Sequence, residues 1–98
     1  MNAVRLAVVL GCSWLLGACT SPERKFCQET GACRQMTAAG YVVTQGAVDD
    51  CTDANFFTQN QVDVIDQCWD EEDCAFVACI CDVTGADSAF CDAARMQL

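Results

Sequence analysis

Ten cysteines in a chain of 98 residues constrain this fold more than any other feature of the sequence. A chain this short makes one domain at most and buries a thin core. Domains of that size usually need disulfides, a metal or a partner subunit to hold them. Which of these the cysteines supply depends on compartment, because cytosolic thiols are kept reduced and thiols outside the cytosol pair. Structural zinc favours C-x2–4-C pairs, often with histidine. This sequence contains no C-x-x-C and no histidine at all. The common iron–sulfur spacings and the haem-attachment signature are missing too. Cys74, Cys79 and Cys81 form C-x4-C-x-C, so a soft-metal chelator acting through thiolates stands as the alternative use of the sulfurs. No resident cofactor is expected.

The compartment is written at the N-terminus. One cation, Arg5, precedes the uncharged apolar run Leu6–Leu16, "LAVVLGCSWLL", and the polar stretch "TSPERK" follows soon after. Eleven apolar residues fall within the window of roughly 7–15 for an export-signal core and short of the roughly 20 that span a bilayer. Ordinary export cleavage wants small residues at the first and third positions before the cut. Before Cys19 these are Ala18 and the large Leu16.

The sequence Leu16-Gly17-Ala18-Cys19 instead resembles the lipobox of bacterial lipoproteins. The resemblance covers residues 1–20 and extends no further. It implies that Cys19 is the lipid-attachment residue, carrying a diacylglyceryl thioether, and that cleavage before it makes Cys19 the first mature residue. It also implies a lipid-anchored protein of the bacterial cell envelope, periplasmic or surface-facing. Thr20 stands where an inner-membrane retention signal would place Asp, so in a diderm host the resemblance implies the outer membrane. The domain division that follows is a signal peptide over 1–18, a lipidated N-terminus and short tether over 19–25, and a folded domain over 26–98. Extended, "TSPERK" reaches on the order of 20 Å, which keeps the folded part near the membrane.

Parity of the cysteines agrees with this division. Cys12 lies in the discarded core and Cys19 carries lipid. Eight remain, Cys27, Cys33, Cys51, Cys68, Cys74, Cys79, Cys81 and Cys91, an even set able to form four disulfides. A plain secreted protein that kept Cys19 among its pairing cysteines would have nine and an orphan thiol. Eight cysteines admit 105 connectivities, among which sequence does not choose. The spacing C-x5-C occurs twice, at Cys27–Cys33 and Cys68–Cys74.

Beyond Cys19 the chain carries four cations (Arg24, Lys25, Arg34, Arg95) against fourteen carboxylates, a balance of −10. Phosphate-backbone binding requires clustered Lys and Arg, so nucleic acid is excluded as a partner. Anionic headgroups exert no pull on such a body either. Its expected partners are the membrane, through lipid on Cys19, and an unidentified envelope protein.

Local signals predict a mainly α fold of three or four short helices. Ser21 is an N-cap with Pro22 at the first helical position, and Gly31 leaves that segment as one bent helix or two pieces. "TAAGYVVTQGAVDD", with two glycines and a β-branched run, reads as loop with a short extended piece. Thr58–Gln61 fits a capping box, with Val62, Ile65 and Trp69 at helical spacing and Cys68 alongside. In "DEED", Asp70 reads as the cap of the next helix and Glu71, Glu72 and Asp73 as its dipole-complementing first turn. The competing reading is a carboxylate site for a divalent cation. Gly85 ends that helix, and Asp87 or Ser88 caps another. Phe26, Phe56, Phe57, Trp69, Phe76 and Phe90 are the core aromatics. Cys74 and Cys81 are seven apart and share a helix face, whereas Cys79 points the other way, so this helix should be stapled on two sides.

Nothing in the sequence names a reaction. Without histidine, a general base at neutral pH would have to be a perturbed carboxylate, lysine or thiolate, and the redox motif C-x-x-C is absent. Asp49, Asp53, Asn55, Asp82 and Asp87 sit near turns without EF-hand spacing and read as turn and cap residues. The expectation is a non-enzymatic, lipid-anchored, cysteine-rich envelope protein with a binding or structural role.

Overall fold

The computed structural model describes residues 20–98, and every regular element among them is an α-helix. There are five: α1 (Pro22–Thr37), α2 (Gln45–Ala54), α3 (Gln59–Gln67), α4 (Asp73–Thr84) and α5 (Ala89–Arg95). The fold is mainly α, as the local signals predict, with one helix more than expected.

Four of the five helices start from hydroxyl caps. Ser21, Thr44, Thr58 and Ser88 each accept a hydrogen bond from the backbone N–H three residues on, meeting a donor that the first helical turn leaves without a partner. At Thr58 the capping box closes in both directions with Gln61. Gly85, at φ +73°, ends α4 in the left-handed region, where glycine avoids the Cβ penalty.

α4 is the hub. It buries Cys74, Phe76, Val77, Ala78 and Cys81, and it packs against α1, α3 and α5. Two small cores result. One joins Cys33, Cys74, Val77, Cys81, Cys91 and Ala94, with Phe90 against it. The other joins Ile65, Cys68 and Phe76 beneath Phe26, Phe57, Trp69, Cys79 and Ile80. Phe26 and Phe57 meet edge to face, with centroids 5.4 Å apart.

Several expectations are corrected. Residues 37–50 are expected as loop, but 45–50 belong to α2: Thr44 caps it, Val48 is buried and Cys51 is bonded to Cys27. These tertiary ties outweigh the low propensity of Gly46. Of the two readings of the first segment, one helix holds: α1 runs through Gly31, where a Cβ would lie 2.8 Å from Val43 Cγ2, so this glycine serves close approach. α3 stops at Gln67 and leaves Trp69 just beyond its end. Phe56, expected in the core, is 94% exposed, since its neighbour Phe57 takes the inward position on the α2–α3 connection. Pro22–Lys25, assigned to the tether, is the first turn of α1. Asp70 caps nothing: the N-cap of α4 is Glu72, without a side-chain bond, and Asp73 opens the helix at φ +52°.

Candidate functional site

The eight described cysteines of the sequence reading are joined as Cys27–Cys51, Cys33–Cys74, Cys68–Cys79 and Cys81–Cys91. None of the described cysteines is free. Three of the four bonds end on α4. Cys74 and Cys81, on one face, reach α1 and α5, and Cys79, on the opposite side, reaches Cys68 at the end of α3. This is the two-sided stapling that helical spacing implies. Cys27–Cys51 fastens α2 to α1. The two C-x5-C pairs are not paired alike: Cys33 and Cys74 bond to each other, while Cys27 and Cys68 go elsewhere. Cys12 and the expected lipid-attachment residue Cys19 lie outside the described residues.

The acidic turn is a structural tie. Lys25, only 8% exposed, donates from Nζ to the Glu71 carbonyl at 2.9 Å and reaches Glu29 Oε2 at 3.4 Å. Its ammonium lies 5.7 Å from the Trp69 ring centroid and 5.4 Å from that of Phe76, within cation–π range. Glu29 Oε1 accepts the Asp73 N–H at 2.8 Å. The cap of α4 is thus supplied from α1, forty-four residues away. Glu23 does the same at another junction, accepting the Phe57 N–H at 3.1 Å. Local pattern reading misses both, although Lys25 and Glu29 stand four apart and pair across one helical turn.

The turn residues singled out by the sequence are placed as follows. Asp49 binds Arg24 at 2.6 Å, and the hydrogen bond from that guanidinium holds its carboxyl below the ordinary value of 3.8. Asp82 pairs with Arg95 at 3.0 Å. Asn55 follows α2 as its C-cap and donates to the Cys51 carbonyl at 2.6 Å. Asp53 and Asp87 are exposed. Among the described residues no three cysteines or carboxylates gather as a metal site, and no described helix is long and apolar enough to cross a membrane.

What the fold does present is an apolar trough. Three hollows of about 180, 160 and 290 Å³ share walls. Phe26 borders all three, Ile80 the first and second, and Thr30 and Phe90 the second and third. The first ends against α3 at Val64 and Ile65, and the third against α1, the α1–α2 connection and α2 at Arg34, Tyr41 and Val48. Helices distant in sequence build it, so no motif announces it. Comparison with known proteins leaves this geometry to speak for itself, since no family model, no curated protein and no solved structure matches the chain.

Proposed function

We propose that this protein is a lipid-anchored component of a bacterial cell envelope, held through Cys19, with a non-catalytic binding or structural role. The observation that carries the reading is the pairing of all eight described cysteines. Such density of disulfides belongs outside the reducing cytosol, and the lipobox-like Leu16–Cys19 gives a chain of this kind its route there and its attachment. The metal-chelating alternative requires free thiolates, and the described cysteines are all paired.

The start of α1 sharpens the picture. Two residues, Thr20 and Ser21, separate Cys19 from the helix, in place of six. Acyl chains on Cys19 would bring the first turn of α1 to the headgroup region, since each buried methylene contributes roughly 0.8 kcal/mol and two or three chains hold firmly. A non-catalytic role is supported by the absence of histidine from the sequence and by the structural ties of Glu23, Glu29, Asp49, Asp82 and Asp92. Replacing Cys19 with alanine tests the anchor. Metabolic labelling with a fatty acid should disappear and the uncleaved precursor should accumulate in the membrane fraction. Normal processing of that variant would sink the reading.

A further inference from the structure

The trough and the cation at its end have no part in the anchor. Its middle hollow is walled by Phe26, Thr30, Val77, Ile80, Cys81 and Phe90, which offers an occupant almost nothing but hydrocarbon. Small-molecule sites are mostly apolar with a few placed polar groups, and these adjoining hollows have that make-up. At the far end stands Arg34, its guanidinium carbon 5.0 Å from the Phe90 ring centroid and 5.9 Å from that of Tyr41. The other cations beyond Cys19 are matched: Arg24 by Asp49, Lys25 by Glu29, and Arg95 by Asp82 and Asp92. Arg34, among the described residues, has rings about it and no carboxylate in ion-pair reach. In a body with fourteen acids and four cations past Cys19, leaving an arginine unmatched at the mouth of a hydrocarbon trough makes one place where an anion is welcome.

We propose that this trough binds a single acyl chain bearing a carboxylate head, the chain lying along Phe26, Val77 and Ile80 and the head on Arg34. The middle hollow, about 160 Å³ with an apolar lining, suits hydrocarbon. The guanidinium offers the forked donors that match a carboxylate. The inference names a ligand for the binding role above, yet it holds or fails whether or not Cys19 is acylated.

Photolabelling of the protein as purified from cells, in phosphatidylcholine nanodiscs, tests it. The probes are a diazirine-bearing dodecanoic acid and the corresponding alcohol, with labelled peptides mapped by mass spectrometry. The acid should label peptides carrying Phe26–Thr30 and Val77–Cys81, and excess laurate should compete. Arg34→Gln should reduce labelling by the acid at least about fivefold and leave the alcohol within about twofold. Arg34 also lies in the last turn of α1, where any cation complements the helix dipole, so Arg34→Lys should restore both stability and most labelling. Ile80→Trp, which fills two of the hollows, should reduce both probes alike, with far-UV dichroism verifying the fold. Labelling confined to other surfaces, labelling indifferent to Ile80→Trp, or an equal effect of Arg34→Gln on acid and alcohol would each overturn the proposal. Loss of lipid from Cys19 in the fractionation experiment would leave it standing.

Discussion

At the scale of single residues, the most consequential side chain is Lys25, because one ammonium ties three elements. It reaches Glu29 on its own helix, the Glu71 carbonyl before α4 and the faces of Trp69 and Phe76. Lys25→Met keeps much of the stem and removes the charge. It leaves Glu29 and the Glu71 carbonyl short of a donor in a half-buried site, a situation that costs about 1–3 kcal/mol. Urea unfolding under non-reducing conditions should show that loss, and Glu29→Gln added to Lys25→Met should cost less than the two separate effects combined, because the pair is coupled. Arg24–Asp49 behaves differently. The bond from Arg24 lowers the folded carboxyl below 3.8, so the stabilisation it brings is fully present above that value. It is lost as the pH falls through the lower folded value. The stability difference between wild type and Asp49→Asn should therefore stay level from neutrality down to the ordinary carboxylate range and shrink only in stronger acid. A difference that vanished already at mildly acidic pH would contradict this assignment.

At the scale of elements, Gly31 shows how a helix former and a packing site can compete. Alanine in a helix interior gains about 1 kcal/mol over glycine, yet a Cβ there would lie 2.8 Å from Val43 Cγ2. The β-branched valine is stiff about χ1. Gly31→Ala should therefore fail to stabilise on its own and should become stabilising by about 1 kcal/mol when Val43→Ala accompanies it, a double-mutant cycle read by thermal unfolding. The same contrast between local and distant causes explains what sequence could reveal. The starts at Ser21, Thr58 and Ser88 rest on bonds within a few residues and the stop at Gly85 on its own left-handed backbone, and such ends were legible. The start of α2 had a local signal as well, Thr44 accepting from Ala47, but two glycines and the Tyr41–Thr44 run obscured it. The start of α4 was misplaced because its cap is Glu29, on another helix. Phe56 and Phe57 are adjacent and alike, and only the packing of Phe57 on Phe26 decides which one turns inward.

At the scale of the whole molecule, two small cores joined through one helix leave the disulfides to decide stability. Their pairing was beyond sequence, although an even set and a doubly stapled α4 were not. The four bonds close very different spans: 41 residues for Cys33–Cys74, 24 for Cys27–Cys51, 11 for Cys68–Cys79 and 10 for Cys81–Cys91. If each acts chiefly by restricting the unfolded chain, cost grows with the logarithm of the span. Paired alanine replacements should then lose about 4 kcal/mol at Cys33–Cys74 and about 2.7 kcal/mol at Cys81–Cys91. Two features modify the ranking in opposite directions. The Cys33–Cys74 loop overlaps the loops closed by Cys27–Cys51 and by Cys68–Cys79, so part of its freedom is already removed by those bonds. Cys33 and Cys74 are also fully buried, so alanines there open a void whose lining loses contacts. Cys81–Cys91 encloses no other cysteine and is the clean reference. Guanidinium unfolding of the paired variants at equal pH should rank Cys33–Cys74 as costliest and Cys81–Cys91 as cheapest. Equal losses at all four bonds would mean that the sulfurs stabilise the folded packing itself, with the unfolded chain having little to do with it.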